Sequence, residues 1–228
     1  MRKALLALCL LGSSSCAAPV VAVGDSVTFG WGGAPGGWVT ELSMLSGIPI
    51  ANLGIPGESA MQASSRVGGA LGLVLDPFAR TVIILEGGND ARGAFANGPC
   101  NKDCDPSIDE DRFQEIGEDL REIRDQAAHD WILPDRKVVF ATYWPPSRDA
   151  CLNLQPREFT TWAAFLTRLD QEIVTVAAEH GDPVVRLDDL TDLPDDPDNY
   201  FDCLHPSPLG YHRIALRWMQ DLPKWAPW

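Results

Sequence analysis

Five short apolar runs, each separated from the next by a longer stretch of mixed polarity, constrain this chain more than any other feature. They are PVVAV (19–23), IPIANL (48–53), TVIIL (81–85), KVVFATY (137–143) and PVVRL (183–187). They are rich in β-branched residues and apolar at consecutive positions, so both faces of each strand must be covered. A parallel sheet between two helical layers meets that demand. The stretches between and after the runs predict helices over roughly 37–46, 58–74, 111–129, 156–180 and 207–220. Gly47 closes the first as a C-cap glycine. Ser207-Pro208 opens the last with a cap and a proline at the first helical position. The alternation predicts an α/β fold, a three-layer α/β/α sandwich with a doubly wound, flavodoxin-like sheet of about five parallel strands. With 228 residues, 45% of them hydrophobic, the chain fills one such domain and is short for two.

The first 17 residues read as an export leader rather than as part of that domain. Met1-Arg2-Lys3 is a short basic start, Ala4 to Leu11 is apolar, and GSSSCAA supplies small residues for cleavage. Cleavage after Ala17 leaves residues 18–228 as a single domain. Lipidation at Cys16 is the rival reading. The apolar stretch is too short to span a bilayer, and no transmembrane span is expected in the mature chain. An exported protein, secreted or periplasmic, follows. Acidic residues number 32 against 18 basic ones, a formal charge of −14. Such a surface repels phosphate backbones, so nucleic acid is not an expected partner. A monomer is the default state.

Outside the leader stand Cys100, Cys104, Cys151 and Cys203. An even number in an exported chain suggests disulfides, and four cysteines allow three pairings. Cys100 with Cys104, closing a small loop, and Cys151 with Cys203, tying two distant loops, is the favoured set. A zinc site is the alternative, although no second Cys or His pair stands at ligand spacing.

Doubly wound sheets carry their working groups just beyond the C-terminal ends of the strands. After the first run comes Gly24-Asp25-Ser26, after the second NLGIPGES (52–59), and after the third EGGND (86–90). Trp144-Pro145-Pro146-Ser147 follows the fourth, and a long acidic loop ending in DCLHP (202–206) follows the fifth. A serine becomes a useful nucleophile only beside a base that is itself oriented by a carboxylate. Of the four histidines, His129 and His180 stand near helix ends and His212 within the last helix. His205 alone lies in an edge loop, three residues after Asp202. That spacing lets the carboxylate reach one ring nitrogen while the other faces Ser26. The backbone N–H groups of Ser26 and Gly57 and the side-chain amide of Asn89 are candidate donors to an oxyanion at the same edge.

GDSVTFG, NLGIPGES, GGND and DCLHP together resemble the four sequence blocks of the SGNH/GDSL hydrolase superfamily. The resemblance runs from Gly24 to about Tyr211. It implies Ser26 as nucleophile, Gly57 and Asn89 as oxyanion donors beside the Ser26 N–H, Asp202 and His205 as the rest of a triad, and no metal or organic cofactor. LEGGNDARG is similar to the thioesterase/lysophospholipase branch. The insertion AFANGPCNKDCDPSIDED and the loop YWPPSRDACLNLQP depart from it, so the substrate does not carry over.

A secreted serine esterase or lipase is the expected function, acting on a small-molecule, lipid or carbohydrate ester. An acyltransferase or deacetylase acting on carbohydrate esters is the alternative, and a non-catalytic carbohydrate-binding module the second. Trp31, Trp38 and Trp144 are candidate substrate contacts at the rim. GWGGAPGG (30–37) matches no nucleotide-binding pattern, and no GxSxG elbow occurs. DDLTDLPDDPDN (188–199) lacks the glycine and final glutamate of an EF-hand and reads as a solvated loop.

Overall fold

The computed structural model describes residues 18–33, 35–68, 79–97, 105–128 and 136–227. The leader with Cys16, together with Cys100, Cys104 and His129, lies outside these residues. Five parallel strands form one sheet: β1 (Val20–Gly24), β2 (Ile50–Gly54), β3 (Thr81–Leu85), β4 (Lys137–Ala141) and β5 (Val184–Val185). Their spatial order is β2-β1-β3-β4-β5, the flavodoxin-like arrangement. The helices are α1 (Ser26–Phe29), α2 (Gly37–Ser46), α3 (Ala60–Gly68), α4 (Gly88–Asn97), α5 (Glu110–Ala128), α6 (Pro156–His180), α7 (Pro208–Gln220) and α8 (Leu222–Trp225). Short 3₁₀ turns lie at Pro106–Asp109 and Pro197–Asn199.

Two helical layers cover the sheet. Helix α2 packs on α7, while α3, α5 and α6 pack in series. The central strands β1 and β3 are buried at every position, as their consecutive apolar residues require. Strand β2 is half-buried throughout because it forms an edge. Among the described residues no helix is long and apolar enough to cross a membrane.

The predicted bounds of β3, α2 and α6 coincide with the observed ones, and the other elements differ for local reasons. Strand β5 shrinks to two residues. Pro183 has no N–H to give, and the Leu187 and Asp188 N–H groups donate to Thr142 Oγ1 at 2.8 and 3.1 Å instead of to a neighbouring strand. Strand β4 stops at Ala141, and the Tyr143 N–H donates to Asp170 Oδ1 at 2.7 Å. Helix α4 begins inside GGND, a stretch read from sequence as loop. Ala91, Ala94 and Phe95 bury its inner face, and the helix packs against α6, which overrides the low helix propensity of two glycines. Gly47 and Ser207 cap α2 and α7 as expected, the Gly210 N–H donating to Ser207 Oγ.

Candidate active site

In this strand order the chain leaves β1 toward one edge of the sheet and later resumes at β3 on its other side. A crevice opens between the two C-terminal ends. Ser26 follows β1 and Asn89 follows β3, so the topology brings them to one place. Ser26 is the first residue of α1, a single turn capped by Asp25, whose Oδ1 accepts the Val27 N–H at 2.8 Å. The capping role therefore belongs to Asp25, and the Ser26 hydroxyl is left for other work. Gly24 is required by close approach. A Cβ there would lie 2.3 Å from both the Leu85 carbonyl oxygen and Thr28 Oγ1.

Ser26 Oγ lies 2.9 Å from His205 Nε2, across 179 residues of chain. On the other side of the ring, Nδ1 lies 2.8 Å from Asp202 Oδ2 and 3.0 Å from Oδ1. A proton on Nδ1, donated to the carboxylate, leaves Nε2 as the acceptor of the serine hydroxyl. Asp202 Oδ1 also accepts the backbone N–H groups of Leu204 and His205, each at 2.8 Å. Partial burial alone would raise its pKa. The hydrogen bonds from the His205 ring and from the two backbone amides outweigh burial and hold it at about 2. Its contribution to stability is thus present above about pH 4 and is lost as the pH falls toward 2. A disulfide joins Cys203, inside this loop, to Cys151 beyond β4.

The candidate oxyanion donors are braced against one another. Asn89 donates an amide hydrogen to the Glu58 carbonyl at 2.9 Å, and Asp90 Oδ2 accepts the Ala60 N–H at 2.8 Å. Arg66 grips the buried Glu58 carboxylate through two hydrogen bonds of 2.7 and 2.5 Å. The segment carrying Gly57 is therefore fastened to the start of α4 and to α3. Gly57 itself is exposed, at φ 81°. The Ser26 N–H, first in its helix, has no intrahelical acceptor.

Beneath the serine lies a buried network that the sequence did not single out. Tyr143 O–H donates to Asp25 Oδ2 at 2.9 Å and accepts the Gly88 N–H at 3.0 Å, linking the β1 elbow to the start of α4. Burial raises Asp25 to about 6 against the lowering effect of the Val27 N–H, the Tyr143 hydroxyl and His205. Burial and the charge of Asp25 drive Glu86 well above the usual carboxylate range. Tyr143 was legible only as a residue at the end of a strand, where sheets of this kind keep their chemistry.

The tryptophans separate. Trp31 is half exposed, with its ring 6.5 Å from that of His205. Trp38 and Trp144 are not rim residues. Trp38 faces inward on α2 and stacks on Trp218 at 5.0 Å and 5°. Trp144 is 4% exposed, packs on Tyr143, and lines a separate cavity of about 520 Å3 beside α6. His180 ends α6, and His212 on α7 sits 3.3 Å from Glu41. In the acidic loop Asp188 pairs with Arg186, Asp189 with Arg217 and Asp192 with Arg213. Among the described residues no group of three or more His, Cys, Asp or Glu side chains is arranged to hold a metal.

The sequence profile of the GDSL-like lipase/acylhydrolase family matches residues 22–213, a span that runs from the middle of β1 to the middle of α7. The chain belongs to that family. Its solved neighbours share the fold at low identity. A lipolytic G-D-S-L protein from Veillonella parvula is 16% identical with a TM-score of 0.66, over 90% of this chain and 98% of the other. An acetyl xylan esterase is 15% identical at 0.59, over 89% and 99%. An aryl esterase from M. smegmatis, in its inhibitor-bound form, is 15% identical at 0.62, over 90% and 97%. No curated protein matches the sequence. Membership of this family makes the chain an ester hydrolase of GDSL type.

Proposed function

We propose that the chain is an exported carboxylic ester hydrolase working through an acyl-serine intermediate on Ser26. The observation that carries this reading is the unbroken hydrogen-bonded row from Ser26 Oγ through the His205 ring to Asp202. His205 Nε2 removes the hydroxyl proton as Ser26 Oγ attacks the ester carbonyl. The Ser26 and Gly57 N–H groups and the second amide hydrogen of Asn89 receive the oxyanion. His205 then passes its proton to the leaving alcohol, and the carbon–oxygen bond breaks. Water, deprotonated by the same nitrogen, releases the acid and restores Ser26. Asp202, ionised down to about pH 2, holds the ring in the needed tautomer and stabilises the imidazolium. Cleavage of residues 1–17 fits the same reading, and the Cys151–Cys203 disulfide is compatible with an oxidising compartment.

Labelling with a fluorophosphonate followed by peptide mass analysis tests the assignment. One adduct, on Ser26, is expected, and Ser26→Ala should lose roughly three orders of magnitude or more in kcat on p-nitrophenyl acetate. A Ser26→Ala protein that keeps full hydrolysis would refute it. N-terminal sequencing of the exported protein should begin at Ala18.

A further inference from the structure

Beside His205 the surface opens into a depression of about 760 Å3, bordered by Phe29, Trp31 and Phe201 over a glycine-rich floor. These three residues, whose rings border it, are 47%, 50% and 60% exposed. Yet the backbone that carries two of them is held. The Trp31 backbone N–H donates to the Ser26 carbonyl and its own carbonyl accepts the Tyr211 hydroxyl, both at 2.9 Å. The Phe201 side chain lies so close to Gly32 that a Cβ there would come within 2.6 Å of it, and the Phe201 backbone N–H donates to the His205 carbonyl at 2.9 Å. Besides the Trp31 indole N–H, the polar side chain in the lining is Asn52. Its amide is engaged by the Thr28 and Gly36 carbonyls and its oxygen by the Gly54 N–H. Apart from the indole N–H of Trp31, the described lining therefore offers aromatic faces and no free side-chain hydrogen-bonding group. A sugar would find one side-chain donor for its several hydroxyls there, and a charged head group would find no counter-charge.

The chemistry fixes which part of an ester lies on this side. The leaving oxygen takes its proton from His205 Nε2, so the group attached to that oxygen extends past the imidazole. Resting on the ester-hydrolase reading above, we propose that Trp31, Phe29 and Phe201 form a binding platform for an aromatic alcohol moiety. The preferred substrates are then aryl or arylalkyl esters, selected by their leaving group.

The test holds the acyl group constant and varies the alcohol: ethyl, phenyl and 1-naphthyl acetate all yield the same acetyl-enzyme. In Trp31→Ala and in Phe201→Ala, kcat/KM on 1-naphthyl acetate should fall about tenfold more than on ethyl acetate, the equivalent of losing one aromatic contact. Trp31→Phe should restore most of that difference. Along a p-nitrophenyl series from acetate to octanoate, each variant should show the same loss at every chain length. A loss equal across the three alcohols, or one that grows with acyl length, overturns the proposal. Binding of 1-naphthol, measured calorimetrically, tests the platform without turnover. Weaker binding in Trp31→Ala by about tenfold is expected, and no binding to the native protein overturns the proposal. Failure of the hydrolase reading would look different, with neither turnover of any ester nor fluorophosphonate labelling of Ser26.

Discussion

Asp25 is wholly buried one residue before Ser26, with its two oxygens spent on the Val27 N–H and the Tyr143 hydroxyl. Burial makes its ionised form costly, and its pKa rises to about 6. For a carboxyl group raised in the fold, the native state binds the extra proton between the unfolded and folded values. Stability is therefore greatest below about pH 4, declines as the pH rises to about 6, and is level beyond. Asp25→Asn keeps an acceptor for Val27 and removes the titration. Urea unfolding at pH 4 and pH 8 should show the wild type losing up to about 3 kcal/mol relative to the variant. An equal difference at both pH values would mean that Asp25 titrates in the fold as it does in water. The proposed triad of Ser26, Asp202 and His205 was legible at this scale because each residue follows a strand and the proposed chemistry needs those residue types. Asp25, Glu86 and Tyr143 were not, because nothing in their local sequence announces that they are buried together.

Helices and loops act as the positioning devices. The Asp202–His205 loop is short, and its histidine is set by three hydrogen bonds to one carboxylate group and by the disulfide from Cys203 to Cys151. The bond closes a 52-residue separation. Chain entropy alone assigns such a closure about 4 kcal/mol. Reduction, or replacement of both cysteines by serine, should lower the thermal midpoint. Esterase activity should fade at a lower temperature than far-UV circular dichroism, since the loop lies outside the sheet. Coincident loss of activity and ellipticity would remove the brace from the account. The expected pairing of Cys151 with Cys203, as a tie between two distant loops, is the bond the structure forms. Helix α4 escaped sequence reading because Gly87, Gly88 and Asn89 resemble a turn, and packing against α6, which sequence does not display, turns them into a helix start.

The whole molecule carries a formal charge of −14 around a site whose aromatic flank has no charged side chain among its described residues. Anionic esters should approach against that field and neutral ones should not. Raising NaCl from about 10 mM to about 500 mM screens the field, the Debye length falling from about 30 Å to a few ångströms. The value of kcat/KM for a succinate monoaryl ester should rise severalfold, while that for phenyl acetate stays level. Equal salt responses would show that the site does not sense the global charge. At this scale the five apolar runs were enough to determine a doubly wound parallel sheet, because a strand apolar on both faces has few places to go. The same runs located every loop of the C-terminal edge, and residue chemistry then selected Ser26, Asp202 and His205. Tertiary structure decided the rest. Strand order placed β1 beside β3, so that Ser26 meets His205 at 2.9 Å from 179 residues away. Packing sent Trp38 and Trp144 inward and left Trp31 at the site. Burial and cross-strand distance depend on how elements meet, and a tryptophan's letter is the same in the core and on the rim.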